Sequence, residues 1–513
     1  MRKFDVFTKW ESKHSFVIAS LIVYIFSRLL YLTRLPMFTD EAVHIWWAER
    51  ILKGDLLRSL NVGKPLEPYF IVPGLLAGLN AFWWARFVHV LAGLLIIMMM
   101  FAMYRYTQSL RVTGFSAWFY IVLPYALFYD RIALTEVYLA LSGVLVLWTT
   151  LKTLYTQKVI WGVLTGIALV LGFVAKMPIG IFFVSIPIAL GVFFPPEDSQ
   201  KFNIRTLLII YAPIMFILLG VGGVALLRIR QGLSPGFGLG LVDAQASVSG
   251  SQHIFSRIIL NVKTLCSWGM TYLTWPVFIF VVLSLIWGIW RGPNLYRVLA
   301  LLVLAGIVPF VLVADRWWPR YLFFTAPFFC LLMGYVLEKA LSVLQMYLKG
   351  TALKIAIVAL LSCLMLFPAL RSSKLILDPE HAYLPATVRD SYIEGSYAGY
   401  GYSEVVTWLS ETQPNLLVCF YIADYVQLDT YLPHPHNFSV TQVHIDNGRS
   451  QSPSQRVMKL VALVEQHQEI YLLLNRPEDM TLLQEHDIEM LQTISFSRSG
   501  GHSYINVYKL IKK

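Results

Sequence analysis

The sequence is poor in cysteine and in charged residues, and each shortage excludes a class of protein. Four of the 513 residues are cysteine and none forms a CxxC pair, which argues against a disulfide framework or a thiolate metal site. Charged residues make up 14% of the chain, whereas soluble domains carry about 25%. The composition is therefore not that of an ordinary soluble protein.

Three further features are missing. The sequence contains no internal repeat and no low-complexity segment. It also lacks a glycine-rich phosphate loop of the GxxxxGK[ST] pattern, so a nucleotide substrate is not indicated. Acids are also outnumbered, since 41 Lys and Arg face 30 Asp and Glu, for a formal charge of +11. The basic residues interrupt apolar runs, as in cytoplasmic loops. The expected partner is a membrane, with no nucleic acid.

Long hydrophobic runs are abundant. The mean hydropathy is +0.62, and a membrane-spanning helix needs roughly 20 mostly apolar residues. We find about eleven candidate spans, and the first reads as an uncleaved signal anchor. They are centred on Ser15–Leu32, Phe87–Tyr104, Val112–Phe128, Val137–Leu151, Val159–Ala175, Met177–Phe194, Leu207–Leu227, Tyr272–Trp290, Val298–Val313, Tyr321–Leu337 and Leu353–Leu370.

The short loops rich in Lys and Arg set the orientation. They all fall on the side of the N-terminus, which is therefore the cytoplasm, and an odd number of spans puts the C-terminus outside. We predict a mainly α, polytopic protein of the plasma (inner) membrane, with a membrane domain at residues 1–371 and a long first outer loop at 34–86. Polar helical stretches such as Ser454–Gln466 alternate with short β-rich runs such as "NLLVCFY", "EIYLLLN" and "YINVYKL". They predict an extracytoplasmic α/β domain at 372–513.

Charges that interrupt the apolar pattern fall at or near the outer surface in this topology. Ionisable groups at membrane depth are costly and usually have a function. We interpret them as lining one polar cavity, in which cations hold the phosphate of a lipid-linked donor and a carboxylate activates an acceptor hydroxyl. The candidates are Asp40, Glu41, Lys64, Asp130, Arg131, Glu136, Lys176, Arg316 and Arg320.

The candidate acids and Lys64 also have simpler interpretations. The pattern predicts a helix starting near Thr39, in which Asp40 and Glu41 would merely complement the helix dipole. Lys64, held rigid by the proline after it, contacts a phosphate or sits in a solvated turn. Asp130 is a candidate second acid and Arg131 a candidate phosphate contact. Alternatively, these two neighbours form an ion pair with each other.

The remaining cations are open to two interpretations as well. Lys176 lies alone between two apolar spans and contacts the donor or extends to the interface. Arg316 and Arg320 flank two tryptophans, and their planar forks suit phosphate oxygens. The alternative is an aromatic belt with arginines that reach the headgroups.

Several fragments resemble a known family in order and in side of the membrane. They are "FTDEA", "GKPLEPYF", "YDRIALTE", "AKMPIG" and "RWWPRYLFFTAPF". Over roughly residues 10–371 the chain resembles GT-C membrane glycosyltransferases of the protein O-mannosyltransferase and aminoarabinose transferase superfamily. The resemblance implies inverting transfer from a polyprenyl-phosphate sugar at the extracytoplasmic face.

The resemblance also implies residue roles. Asp40 would be the general base and Glu41 would orient it. Lys64, Arg131, Lys176, Arg316 and Arg320 would contact the donor phosphate, and Asp130 and Glu136 fall near a second acid that in some members is near a divalent metal. The chain departs from the family in having Leu66 after Pro65 and Glu rather than Asp at 136, which leaves the metal and the second acid open.

Two other functions remain open from the sequence. A transporter or flippase of lipid-linked sugars would place charges deep in spans and break helices near the midplane. A scaffold protein would use the C-terminal domain as its working part. The sequence identifies neither the sugar nor the acceptor, which can be a protein hydroxyl, a glycolipid or a glycan.

Overall fold

The computed structural model divides the chain into two compact units. It describes residues 2–56, 59, 62–107, 109–193, 204–231, 254–314, 317–432, 438–446, 449–476, 478, 480–501 and 503–513. Unit 1 consists of Met1–Leu32, Arg50–Ala77 and Trp84–Pro385, and unit 2 of Thr33–Glu49, Gly78–Trp83 and Ala386–Lys513. The stretch that carries Asp40 and Glu41 thus groups with the C-terminal residues, whereas the division of the chain at residue 371 stays a prediction.

Up to residue 385, all regular secondary structure in the described residues is helical. Short 3-10 helices lie at Ile181–Val184 and Pro319–Thr325, and a π-helical turn lies at Ser362–Leu366. The α-helices are α1 (Arg2–Leu29), α2 (Thr39–Leu52), α3 (Leu66–Leu76), α4 (Ala81–Ala102), α5 (Tyr104–Thr107), α6 (Leu110–Val122), α7 (Pro124–Asp130), α8 (Glu136–Thr156), α9 (Val159–Ala175), α10 (Met177–Gly180), α11 (Ser185–Phe193), α12 (Ile204–Arg230), α13 (Ile254–Tyr272), α14 (Trp275–Arg291), α15 (Asn294–Val313), α16 (Ala326–Tyr347), α17 (Gly350–Leu361) and α18 (Phe367–Leu377).

Each predicted span overlaps an apolar helix. Within the described residues, six helices or helical runs are long and apolar enough to cross a membrane, and a bent pair makes a seventh. The other four predictions fall on shorter apolar helices at Ser15–Leu29, Val159–Ala175, Phe182–Val192 and Trp275–Arg291. A multi-pass membrane protein is therefore confirmed, and one further apolar helix, Leu66–Leu76, lies in the loop between the first two predicted spans.

The bent pair is α6 and α7, which meet at 68°. Proline at 124 has no N–H to continue the helix, and it forces the preceding residue into an extended conformation. Leu123 accordingly has φ −69° and ψ 126°, and α7 starts afresh with Pro124 in its first turn. The break carries Asp130 to the end of α7 and leaves Glu136 to start α8.

Close helix packing in unit 1 depends on small residues. At Gly334 on α16, an added Cβ would collide with the Ser116 side chain and the Val112 backbone of α6. In a membrane, where lipid is as apolar as leucine, such backbone contact is a main source of helix association.

Unit 2 contains a five-stranded mixed sheet between two layers of helices. The strand order is β2-β1-β5-β7-β6, with β1 parallel to β2 and β5, and β7 antiparallel to β5 and β6. The strands are β1 (Leu416–Cys419), β2 (Ser439–Gln442), β3 (Ile445–Asp446), β4 (Arg449–Ser450), β5 (Glu469–Leu474), β6 (Ile488–Ser497) and β7 (Tyr504–Lys512). The helices are α19 (Ala386–Arg389), a π-helical turn Asp390–Glu394, α20 (Tyr402–Thr412), α21 (Ile422–Tyr431), α22 (Pro453–His467) and α23 (Thr481–Glu485).

Residues of β1 alternate between two cores. Val418 packs with Leu460 of α22 on one face, while Leu417 packs with Val405 of α20 and Leu428 of α21 on the other. This alternation follows from the two-residue period of a strand. The α/β prediction for the C-terminal residues is confirmed, including the helix expected at 454–466 and the strands near 416, 470 and 507.

Candidate functional site

The two adjacent acids begin α2 within unit 2, and they have different surroundings. Glu41 is fully buried, and its Oε2 accepts the Phe38 N–H at 2.9 Å. A carboxylate that reaches back in this way closes the first turn and suits the positive end of the helix dipole. Asp40 is half-buried, so it is the more accessible of the pair.

The residues just before Asp40 are held by other parts of unit 2. The Met37 N–H donates to the Tyr431 hydroxyl at 2.8 Å, and the Met37 carbonyl accepts from Gln427 Nε2 at 2.6 Å. The Thr39 hydroxyl lies 2.9 Å from the Tyr397 carbonyl and 2.9 Å from Gln427 Oε1. Thr39 is therefore hydrogen-bonded to residues of the C-terminal region. The Phe38 N–H, just before α2, is instead bonded by the Glu41 carboxylate.

In unit 1, Glu136 and Lys176 form a short ion pair. Lys176 Nζ lies 2.8 Å from Glu136 Oε1, with side chains 11% and 4% exposed. Glu136 starts α8, and Lys176 follows the last residue of α9 in an extended conformation. The lysine also lies 4.2 Å from the centre of the Tyr321 ring. These contacts argue against the alternative in which Lys176 merely extends to the membrane interface.

Two more of the predicted cations act on the same carboxylate. Arg320 and Lys64 are close enough to Glu136 for electrostatic attraction. Lys64 comes near because the Gly63 carbonyl accepts the Met177 N–H at 3.0 Å, which joins the two lysine-bearing turns. The Arg320 guanidinium lies 5.6 Å from the Tyr321 ring centre. Three cations among the described side chains thus lie around Glu136, and cations brought together in this way attract an anion.

An apolar cavity lies beside this cluster. Its volume is about 290 Å³, and Pro319 and Leu322, on either side of Arg320 along the chain, both line it. Tyr125, also on its wall, is near enough to Glu136 to interact electrostatically with it. Most other wall residues are aromatic or aliphatic, and they include Leu265, Trp268, Tyr272, Phe278, Val281, Leu304 and Phe329.

Asp130 and Arg131 occupy a different environment. Arg28 Nε lies 3.3 Å from Asp130 Oδ2, with both side chains fully buried, and the hydroxyls of Tyr24 and Tyr120 also donate to Asp130. Asp130 therefore pairs with Arg28 of α1, so the alternative pairing with Arg131 is wrong.

The Arg131 guanidinium has its own acceptors at the end of α1. Its Nη2 donates to the carbonyls of Leu30 and Tyr31 at 2.8 and 2.7 Å. A cation there complements the negative end of the helix dipole. The donor-contact role of Arg131 stays a prediction that these contacts do not support, and Arg316 lies outside the described residues.

Sequence reasoning missed a buried pair in unit 1. His89 Nε2 lies 2.9 Å from Glu67 Oε1, and both side chains are fully buried. The signal was present, because Glu67 belongs to "GKPLEPYF" and His89 interrupts an apolar span. Arg28 gave the same signal within the first span.

The possible metal has no preformed ligand set in the part of the chain that is described. There, no group of three or more His, Cys, Asp and Glu side chains is arranged to hold a metal ion. Asp130 and Glu136 pair with Arg28 and Lys176 respectively. Their roles as a second acid or as metal ligands stay predictions.

The apolar helices and the C-terminal sheet define a multi-pass membrane protein with an α/β region. Searched against protein-family models and curated proteins, the chain matches none. It does resemble solved structures. One is ArnT from Cupriavidus metallidurans bound to undecaprenyl phosphate, with TM-score 0.62, 16% identity and 98% of each chain covered.

A second similar structure is the archaeal oligosaccharyltransferase AglB from Archaeoglobus fulgidus, in complex with an inhibitory peptide and a dolichol-phosphate. The TM-score is 0.52 at 11% identity, over 90% of this chain and 69% of that one. Both likenesses show the fold, and they agree with the GT-C resemblance seen in the sequence fragments.

Proposed function

We propose that the chain is an inverting glycosyltransferase that moves a sugar from a polyprenyl-phosphate donor to a hydroxyl acceptor. The reaction takes place at the outer face of the inner membrane, where the C-terminal α/β region also lies. Asp40 is the general base, Glu41 fixes the first turn of α2 around it, and Lys64, Lys176 and Arg320 bind the donor phosphate.

The observation that carries the proposal is the cation cluster of Lys64, Lys176 and Arg320 beside an apolar cavity. A polyprenyl phosphate has the two matching parts, an anionic head and a long hydrocarbon chain. Lysine meets a phosphate as a point charge and arginine as a planar fork of donors. The fold shared with structures that hold undecaprenyl phosphate and dolichol-phosphate supports the same ligand class.

The chemistry follows from where charge develops. The acceptor oxygen attacks the anomeric carbon from the face opposite the phosphate and its proton passes to Asp40. The bond from the anomeric carbon to the phosphate oxygen breaks, and polyprenyl phosphate leaves with one more negative charge. Fixed cations stabilise that charge as it forms, and a positioned base contributes about 100- to 10,000-fold in rate.

Glu136 has a supporting role in this proposal. Cations held together repel one another, and a buried carboxylate 2.8 Å from Lys176 offsets that repulsion. The pair also fixes the lysine head near Tyr321. Asp130, Arg131 and Arg316 remain candidates that rest on the sequence alone.

The test incubates the purified protein with a panel of polyprenyl-phosphate sugars and candidate acceptor lipids, glycans and proteins, and measures released polyprenyl phosphate. Lys176→Met should weaken donor binding. Lys339→Met is the matched control, because Lys339 is an exposed lysine that also lies over a tyrosine ring, 5.7 Å from Tyr335. The proposal would be refuted if polyprenyl phosphate were released from none of the donors, or if both variants lost donor binding equally.

A transporter of lipid-linked sugars is the second candidate, and two observations favour it. The α6–α7 pair is broken at 68°, and the Arg28–Asp130 pair is fully buried among helices. Broken helices and buried charges are features of transporters. The two functions differ in product, since only a transferase separates the sugar from its lipid phosphate.

A further inference from the structure

Unit 2 contains a network of neutral polar groups to which the proposed function gives no role. Gln427 on α21 is fully buried and contacts the chain on both sides of Phe38. Its Nε2 donates to the Met37 carbonyl at 2.6 Å, and its Oε1 lies 2.9 Å from the Thr39 hydroxyl. Tyr431, at the end of the same helix, accepts the Met37 N–H at 2.8 Å. One helix therefore fixes the backbone directly before Asp40.

A loop after the π-helical turn fixes the same backbone from another direction. The Tyr397 carbonyl accepts the Thr39 N–H at 3.1 Å and lies 2.9 Å from its hydroxyl. Two residues later, Gly399 runs against Met37, and an added Cβ there would overlap the Met37 backbone. Glycine is thus required at 399 by the close approach of two backbones.

This loop is in turn fastened to the sheet. Asn475, the first residue after β5, donates from Nδ2 to the Ser396 carbonyl at 2.6 Å. Arg476 donates from Nε to Ser396 Oγ at 3.0 Å and lies 4.4 Å from the Tyr397 ring centre. Both residues stand at the carboxyl end of β5, beside β1, where the strand order reverses. In open α/β sheets this edge is the usual place for functional groups.

We propose that the C-terminal α/β region is a positioning element for the general base, acting through Gln427, Tyr431 and the Tyr397–Gly399 loop. This inference rests on the proposed function of Asp40. A base must lie within hydrogen-bond reach of the proton that it accepts, and a misplacement of about 1 Å can cost about 100-fold in rate. The α/β region would thus influence the rate of transfer through the position of Asp40.

The test compares Gln427→Met and Tyr431→Phe with Tyr504→Phe in the full-length protein. The control changes an exposed tyrosine of the same region, whose hydroxyl donates to Gly501. We expect kcat to fall about 10- to 100-fold in Gln427→Met and less in Tyr431→Phe, with the affinity for undecaprenyl phosphate unchanged. Amide hydrogen exchange at Met37 and Thr39 should be faster in both variants and unchanged in the control.

Two readouts keep this inference separate from the proposed function. If Asp40→Asn abolishes turnover but Gln427→Met and Tyr431→Phe retain wild-type kcat, the positioning role is wrong and the transferase stands. If wild-type protein transfers no sugar, the proposed function fails, and the positioning role fails with it. Unchanged amide exchange at Met37 and Thr39 in both variants would overturn the inference at any activity. Because Tyr431→Phe removes a single oxygen, it provides the answer if Gln427→Met does not fold.

Discussion

The two groups of candidate residues are built by different means. In unit 1, Glu136, Lys176, Arg320 and Lys64 come together as charges, through an ion pair and longer-range attraction. In unit 2, the chain before Asp40 is held by hydrogen bonds from neutral groups of Gln427, Tyr397 and Tyr431. The first arrangement suits binding of an anion, and the second suits fixed placement of a reactive group.

The difference has a physical basis. A phosphate needs positive charge, which the protein can keep together only with a compensating carboxylate. A general base works best without a paired cation, because such a cation would lower its affinity for the proton. The neutral groups of Gln427, Tyr397 and Tyr431 hold the backbone before Asp40 without themselves bringing a cation to it. Changes in unit 1 should therefore act on donor affinity, and changes in unit 2 on turnover.

The largest expected effect is on turnover in Asp40→Asn. The substitution keeps size but removes the proton acceptor, so we expect a loss of about 100- to 10,000-fold in kcat. Donor affinity should stay at the wild-type value, as measured by binding of labelled polyprenyl phosphate. A folded Asp40→Asn protein with normal turnover would reduce Asp40 to a residue of the helix start.

A smaller effect is expected in unit 1 for Lys176→Met, and it should appear in binding. Loss of a charge-assisted contact to phosphate should weaken donor affinity about 10- to 100-fold. Because Glu136 would then lack its partner at 2.8 Å, the double variant with Glu136→Gln should recover part of the thermal stability. Unaltered affinity for undecaprenyl phosphate in Lys176→Met would remove this lysine from the donor site.

A third prediction concerns pH and the sheet edge of unit 2. Burial raises the pKa of Asp424 from 3.8 to about 6, against hydrogen bonds from Asn475 and Tyr402 that lower it. A raised carboxyl pKa means that the folded state binds the proton more tightly than the unfolded state. This contribution is complete below about pH 4 and is lost as the pH rises through 6.

At neutral pH the loss amounts to about 2–3 kcal/mol, since one pKa unit corresponds to about 1.4 kcal/mol. Asp424→Asn should therefore flatten the decline in melting temperature between pH 4 and pH 6, measured on the full-length protein. Asp487→Asn is the control, because Asp487 is exposed. Parallel curves for wild type and Asp424→Asn would show that Asp424 does not titrate in this range.

The smallest effect is expected for Glu41→Gln. The amide oxygen can still accept the Phe38 N–H, and the lost negative charge at the helix start is worth about 0.3–1 kcal/mol of stability. Turnover should fall far less than in Asp40→Asn. A Glu41→Gln enzyme as inactive as Asp40→Asn would move the base to Glu41.

Much of unit 1 could be predicted from the sequence because its signals are strong and local. Apolar runs located the helices, and the charge pattern of the loops singled out Lys64, Lys176 and Arg320, all of which interact with Glu136. The approach failed at Asp130, because its partner Arg28 is about a hundred residues away in the first span. Nothing near Asp130 in the sequence identifies that partner.

The support for Asp40 could not be predicted, for a related reason. Gln427 and Tyr431 lie almost 400 residues further along the chain, and neutral polar residues on an ordinary helix give no sequence signal. Strand β6 was also missed, because it lies at the edge of the sheet and most of its side chains are at least partly exposed. Its weak hydrophobic pattern does not distinguish it from a loop.

The most direct test of the central claim uses a polyprenyl-phosphate sugar labelled separately in the sugar and in the lipid, with the protein in sealed vesicles and acceptors supplied outside. The account predicts that the two labels separate, with the sugar on the acceptor and the lipid recovered as polyprenyl phosphate. Asp40→Asn should bind the donor and leave both labels together. If in the wild-type protein the labels stay on one lipid that crosses the bilayer intact, the chain is a transporter and the account is wrong.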